Sequence, residues 1–342
     1  MREEHGVDLA TLTTMRVGGP ADRLVRVATT DELVDAVHEV DDADEPLLVV
    51  GGGSNLVVAD EGFPGTVVRV ETTGIQVESD DRCGGANVRV AAGEPWDDVV
   101  AGAVDAGLAG VECLSGIPGS TGATPIQNVG AYGQDVAQTV TSVRVYDRQR
   151  DVVEDLPAEA LGFGYRTSAL RYQDRRVVLR VRFELTASET SGGLRYAELT
   201  RALDADRAPL HDVRDAVLAL RRGKGMVIDS DDPDTVSAGS FFTNPILDEA
   251  AFEAIDGEPP RFPEPHGRVK TSAAWLIERS GFHKGDTRGN VGISTKHSLA
   301  LINRGGATTA ELVAFAREIA QGVRERFGVE LHPEPIFVGH DW

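Results

Sequence analysis

Residues 114–136 read LSGIPGSTGATPIQNVGAYGQDV. Gly116, Gly119, Gly122, Gly130 and Gly133 fall within this stretch, with Pro118 and Pro125 between them. That spacing of breakers is incompatible with a continuous helix or a central strand. The segment is expected to be an ordered loop, held by Ile117, Ile126, Val129 and Tyr132. Its small residues allow a ligand to approach the backbone, and successive N–H groups in such a loop form a cradle for phosphate oxygens. Gln127 and Asn128 add amides suited to the edge of a heteroaromatic ring. A long surface loop is the plainer reading, but loops of this length without regular structure are usually functional or disordered.

A second glycine run lies about sixty residues earlier. The apolar stretch Leu47–Val50 ends in Gly51-Gly52-Gly53-Ser54-Asn55, after which Leu56-Val57-Val58 continues a strand pattern. This is not the dinucleotide fingerprint, in which the glycines open a helix. Paired with the later loop, it is a second phosphate-cradle candidate.

The rest of the chain alternates short strands and helices. Asp31 reads as the N-cap of a helix carrying Leu33, Val34, Val37 and Val40, which Pro46 stops. Residues 74–92 suggest two strands joined by a polar turn around 80–87. Residues 96–106 suggest a helix ended by Gly107, and 141–146 and 176–185 two strands. Residues 189–193 read as a linker or exposed loop. Helices are expected at 200–205, 211–222, 272–280 and 309–327, the last capped by Thr308 or Thr309. Residues 299–303 form a buried strand, and 329–338 a final strand containing Glu334. The fold class is α+β.

At 342 residues the chain has room for two domains. No apolar run reaches membrane-spanning length, and the first residues lack a signal pattern. Cys83 and Cys113 form no CxxC pair and no metal set, so neither a disulfide framework nor a zinc site is expected, and a cytoplasmic location fits. A net charge of −21 argues against general nucleic-acid binding. Of 34 basic residues only Lys224, Lys270, Lys284 and Lys296 are lysines, a bias that fits either high-GC coding or salt adaptation.

In order along the chain, the motifs TTMRVGGPA, LVVGGGSNLVVAD, IPGSTGATPIQNVGAYG, FGYRTS, SAGSFFTNP, KTSAAWLIERSGFHKG, ISTKHSLALIN and HPEPIFVG resemble the UDP-N-acetylenolpyruvoylglucosamine reductase family over nearly the whole length. The resemblance implies a flavin-binding domain of the vanillyl-alcohol-oxidase (PCMH) type over 1–210, made of two α+β subdomains. It implies a C-terminal α+β substrate-binding domain over 211–342, whose last strand returns to the flavin site. Tyr196 and Phe241-Phe242 resemble the longer of the family's two types, which carries a tyrosine loop.

By that resemblance FAD is held by Gly51, Gly53, Ser54 and Asn55, and by Ile117, Gly119, Ser120, Gln127, Asn128, Gly130 and Tyr132. Neither glycine loop contains a histidine, so the cofactor is expected to be noncovalent. NADPH is the expected co-substrate. Arg166, Ser240 and Glu334 are the implied catalytic residues. Tyr196, Arg221, Lys224, Asn244 and His297 are implied contacts to the UDP-sugar, with His297 standing where the family often has glutamine. No metal is expected, and the chain is expected to act as a monomer.

Read without the family, Arg166 could be a surface ion pair, Glu334 an exposed carboxylate and Ser240 a turn serine. Lys224 could be one of four surviving lysines with no special task. Two other classes stay open: an FAD oxidase or dehydrogenase on the same flavin domain that ignores NADPH, and a catalytically silent UDP-sugar binder, which would lack the combination of Arg166, Ser240 and Glu334.

Overall fold

From Leu179 onward, alternate residues of the strand Arg176–Ala187 are buried: Leu179, Val181, Phe183 and Leu185 point inward, while Arg180, Arg182 and Glu184 face out. This strand is the spine of a larger sheet. The order is Val152–Pro157, Val140–Asp147, Arg176–Ala187, Gly85–Ala91, Ile75–Asp81, all antiparallel, with Leu108–Ala109 pairing the spine's end. The structure, a computed structural model, describes residues 1–81 and 85–342. The expected turn around 80–87 and Cys83 therefore lie partly or wholly outside the described residues.

The chain forms two compact units. The first comprises Met1–Val7, Ala21–Gly53 and Pro64–Gly223; the second comprises Asp8–Pro20, Ser54–Phe63 and Lys224–Trp342. This division differs from a single cut at residue 210. Two early segments join the second unit, and the helix at 210–222 stays with the first.

In the first unit a four-stranded sheet, ordered Arg2–Asp8, Pro20–Val27, Phe63–Val70, Leu47–Val50, accompanies the larger sheet. Helix α1 (Thr30–Asp42) buries Leu33, Ala36, Val37 and Val40. Its N-cap is Thr29, whose hydroxyl accepts from Glu32 N, and not Asp31. Asp31 instead lies in the first turn, where a carboxylate suits the helix dipole. Helix α2 (Trp96–Asp105) buries Trp96, Val99, Val100, Ala103 and Val104, and Trp96 packs on Phe183 at 5.6 Å. Helices α3 (Ala197–Leu203) and α4 (Leu210–Arg222) pack with Cys113 and Tyr132 in a smaller cluster. The expected 189–193 linker is tied down, since Ser191 is buried and its N–H donates to Ala208 O. Among the described residues Cys113 is a free, buried thiol.

In the second unit a sheet ordered Ser237–Ser240, Ala300–Asn303, Val291–Ile293, Thr287–Arg288 shares a core with α6 (Ala273–Arg279) and α7 (Thr309–Phe327); α5 is the short Glu249–Glu253. Thr308 and Glu311 form a capping box on α7, and Asp60 accepts from the N–H groups of Thr309 (2.7 Å) and Ala310 (2.9 Å). The segment carrying Asp60 enters this unit because Leu56–Val58 pairs in parallel with Ile336–Val338. The final strand is therefore shorter than 329–338. His332-Pro333-Glu334-Pro335 precedes it, and two prolines remove the N–H groups a ladder needs. Glu334 sits before the strand, not within it. Among the described residues no helix is long and apolar enough to cross a membrane, and no cluster fit to hold a metal is present.

Candidate active site

The two glycine runs meet in the first unit. A Cβ on Gly51 would overlap the Ser120 hydroxyl, and one on Gly52 would overlap the Gly119 Cα. Gly53 (φ +65°) and Gly119 (φ +114°) both use the left-handed region that glycine tolerates. Side-chain-free backbone from two loops thus forms one surface. The Arg69 guanidinium, whose pKa burial lowers, donates to Gly51 O.

The later loop is pinned from behind. Thr121 N donates to Glu94 O (2.8 Å), Gly122 N to Ala92 O (2.8 Å) and Trp96 N to Gly119 O (3.0 Å). The Asp97 carboxylate accepts from Gly116 N (2.6 Å) and from both terminal nitrogens of Arg214 (2.7 and 3.0 Å). Neither Asp97 nor Arg214 stands out in the sequence, because each looks like an ordinary charge on a helix surface. Asn128 engages its amide within the fold. Its Nδ2 donates to Gly164 O (3.0 Å) and its Oδ1 accepts from Ala137 N (3.1 Å), so its side chain clamps the loop. Gln127 and Ile117 are half-buried on the same loop, and Ser120 is buried.

At its far end the loop turns back on itself. Ala131 pairs with Gln134 across Tyr132 (φ 49°) and Gly133 (φ 88°), the two left-handed central residues of a type I′ turn. Glu112, fully buried, accepts from Gln134 Nε2 (3.0 Å) and Gly110 N (2.6 Å), fixing this turn to the fold. The turn presents Tyr132 edge-on to Tyr196, with centroids 5.2 Å apart. Burial pushes the Tyr132 hydroxyl up to about 12 against the opposing pull of Arg221. Arg221 is itself buried, and its pKa is lowered to about 10, chiefly by burial and also by Arg166, against the pull of Tyr132 and Asp97.

Arg166 is in the left-handed region (φ 54°), and its guanidinium donates to Gly130 O at 2.6 Å. Gly130 has no room for a side chain there: a Cβ would lie 2.8 Å from Asp135 Cβ and 3.1 Å from Arg166 Nη1. Arg171 donates to Arg166 O and holds this backbone. The first unit therefore gathers Tyr132, Arg166, Tyr196 and Arg221 at the far end of the later glycine loop, a set of cationic and phenolic groups suited to an anionic ligand.

The second unit holds the remaining candidates. Ser240 ends the strand Ser237–Ser240 after an irregular register at Gly239 (φ 73°), and pairs with Ala300. Among the described residues its hydroxyl has no hydrogen-bond partner. Glu334 N donates to Phe241 O (2.8 Å), so Glu334 arrives beside the residue that follows Ser240. Asn55 Nδ2 donates to Glu334 O (3.2 Å), and Asn55 O accepts from Ile336 N (2.9 Å). Ser54 O accepts from the Thr14 hydroxyl (3.3 Å). The GGGSN run thus divides, with its glycines in one unit and Ser54 and Asn55 in the other. Asn244 Oδ1 accepts from Ala273 N in the first turn of α6 (3.0 Å). His297 lies half-buried in the turn between Ile293 and Ala300, and Lys224 half-buried just after α4. Arg166 belongs to the first unit, while Ser240 and Glu334 lie together in the second.

Fold and site define a flavin-dependent oxidoreductase. Residues 21–155 match the family described as "FAD binding domain", and residues 232–338 match "UDP-N-acetylenolpyruvoylglucosamine reductase, C-terminal domain". The chain is 58% identical to a UDP-N-acetylenolpyruvoylglucosamine reductase of Thermobifida fusca, covering 98% of both. It is 54% identical to one of Streptomyces avermitilis, covering 99% of this chain and 96% of that one. The crystal structure of the Thermus caldophilus reductase aligns with a TM-score of 0.68 at 29% identity over 99% of each chain. The chain belongs to the UDP-N-acetylenolpyruvoylglucosamine reductase family. The α+β class and the flavin-binding domain of PCMH type, followed by the family's C-terminal domain, are borne out.

Proposed function

We propose that the protein uses NADPH to reduce UDP-N-acetyl-3-O-(1-carboxyvinyl)-glucosamine to UDP-N-acetylmuramate, a step of peptidoglycan precursor synthesis. The observation that carries this reading furthest is the close approach of Gly51 and Gly52 to Gly119 and Ser120. No Cβ fits between the two loops, so both keep bare backbone side by side, and backbone N–H groups gathered in this way suit the phosphates of FAD. Bound there noncovalently, FAD would supply the hydride chemistry that links NADPH to the enolpyruvyl β-carbon. Gly51, Gly53, Gly119 and Ser120 line the cradle in this reading. Ile117, Gln127, Gly130 and Tyr132 extend it, and Ser54 and Asn55 continue the first run.

The chain's own groups manage charge and protons. Reduction at the β-carbon leaves negative charge on the α-carbon, delocalised into the substrate carboxylate. Arg166 and Glu334 are assigned to that carboxylate, the guanidinium as its counter-charge. Ser240 is assigned to deliver a proton to the α-carbon. The irregular backbone at Gly239 and the uncommitted hydroxyl support that role. Tyr196, Arg221, Lys224, Asn244 and His297 are assigned to the UDP-sugar, the cations to its diphosphate. We read the enzyme as a cytoplasmic monomer, for which sedimentation should show a single species at the mass of one chain.

Absorbance of the purified yellow protein tests the reading. NADPH should bleach the flavin under anaerobic conditions, and the enolpyruvyl substrate should restore the colour. Reoxidation by oxygen alone, with no response to NADPH, would indicate an oxidase. Substrate binding without any bleaching would indicate a silent binder.

A further inference from the structure

The outward face of the larger sheet carries four arginines in two cross-strand pairs. Arg144 stands directly opposite Arg180, and Arg89 directly opposite Arg182. Like charges in directly opposed positions destabilise a sheet. The carboxylates on this face only partly relieve them. Glu78 pairs with both Arg89 and Arg182 (2.9 Å to the latter), and Asp155 pairs with Arg144 at 3.3 Å. Among the described residues Arg180 has no ion-pair or hydrogen-bond partner, and Glu184, next on the same face, forms no ion pair with any of the four. Four guanidiniums therefore face two engaged carboxylates in a chain whose net charge is −21.

A pit of ≈ 30 Å³ opens at the centre of this group, lined by Arg89, Ser142, Arg144, Asp155, Arg180 and Arg182. That is room for about two water molecules, or for one small oxyanion with part of it in solvent. Burial lowers the Arg180 pKa, and Arg89 and Arg144 lower it further, against the weaker pull of Asp155. The group is thus partly buried among like charges, a position that an anion would relieve. Arginine's planar fork of donors matches phosphate oxygens, and Ser142 adds a hydroxyl.

We propose that this face binds a small divalent oxyanion of the phosphate class, seated between Arg144, Arg180 and Arg182. It is separate from the glycine surface, since none of its residues is among the cofactor or substrate candidates. The pit and the unpaired guanidinium favour a small ion over a broad protein surface.

The test uses holoenzyme with its flavin bound, in phosphate-free buffer of low ionic strength. Inorganic phosphate is titrated against the thermal midpoint and by calorimetry, with chloride at matched ionic strength as control. Wild type is expected to show a saturable rise with phosphate and not with chloride. Arg180→Gln is expected to weaken that response at least about tenfold, with an unchanged flavin spectrum and unchanged NADPH bleaching. Without phosphate, the midpoint of Arg180→Gln should equal or exceed that of wild type, because like-charge opposition is removed. Lys224→Ala should keep the phosphate response, which separates this face from the diphosphate contacts. Equal responses in wild type and Arg180→Gln would place phosphate elsewhere and overturn the proposal. So would equal effects of chloride and phosphate, or a lower midpoint for Arg180→Gln without phosphate. A wild-type dimer that Arg180→Gln dissociates would give the face to a second copy of the chain, and would also overturn it.

Discussion

Gly52 rests on Gly119 with no space between them for a side chain: a Cβ on Gly52 would overlap the Gly119 Cα, and would come within 2.8 Å of its carbonyl carbon and 3.1 Å of Ser120 N. Two loops more than sixty residues apart in sequence are thereby fixed as one backbone surface. The obstacle is main chain on both sides, so no rotamer change relieves it.

Gly52→Ala should therefore separate the loops and weaken flavin retention. Overpacking of this kind costs about 1–3 kcal/mol, and here the cost should appear in FAD affinity as well as in stability. The ratio of flavin to protein absorbance after purification reads the first, and a thermal melt the second. Full flavin content with a wild-type melt would show that the loops part without consequence.

Asp97 makes the same loop sensitive to acid. Burial raises its carboxyl, but Arg214 and the Gly116 N–H more than offset this and hold the pKa below its ordinary 3.8. A folded-state value below the unfolded one adds stability above the unfolded pKa, and that stability is lost as pH falls through the folded value. Wild type should thus lose this contribution below about pH 4. Asp97→Asn should be less stable near neutrality and should show a shallower acid loss in that window. Denaturant midpoints measured across pH check it. Parallel curves for the two proteins would remove Asp97 as a contributor.

Lys224→Ala should weaken binding of UDP-N-acetylenolpyruvoylglucosamine by roughly 1.5–3 kcal/mol, the range of a hydrogen bond to a charged group. Bound FAD should be unaffected. Calorimetric titration of the oxidised enzyme gives the affinity directly. Unchanged affinity would return Lys224 to the status of one of four surviving lysines.

Much of this was legible in the sequence because breakers and apolar periodicity act locally. The spacing of Trp96, Val99, Val100, Ala103 and Val104 gives α2, and Thr308 with Glu311 marks the start of α7. What was not legible depends on chain separated in sequence. Nothing local indicates that residues 54–63 leave their neighbours to pair with Ile336–Val338, or that Asp60 caps a helix about 250 residues away. Asn128 read as a ligand amide because its partners, Gly164 O and Ala137 N, are backbone atoms with no sequence signature. Thr29 and Asp31 are both good caps, and local pattern alone does not choose between them. The opposed arginines were hidden for the same reason, since only the register sets Arg144 against Arg180.

Ser240→Ala should separate the two half-reactions. Reduction of the flavin by NADPH needs no proton at the substrate α-carbon, so bleaching should keep nearly its normal rate. Turnover of the enolpyruvyl substrate needs that proton. A serine hydroxyl is normally too weak an acid, but a carbanionic α-carbon held against it is basic enough to take its proton. The backbone around Ser240 suits such a fixed donor. Gly239 takes a left-handed conformation, Phe241 N donates to Leu299 O at 2.7 Å, and Phe241 O accepts from Glu334 N. General acid catalysis is typically worth about 10²–10⁴-fold, and reoxidation by substrate should slow by that factor. Stopped-flow flavin absorbance measures both steps in one preparation. Equal slowing of the two would mean that Ser240 shapes the site, and undiminished reoxidation would exclude it as the proton donor.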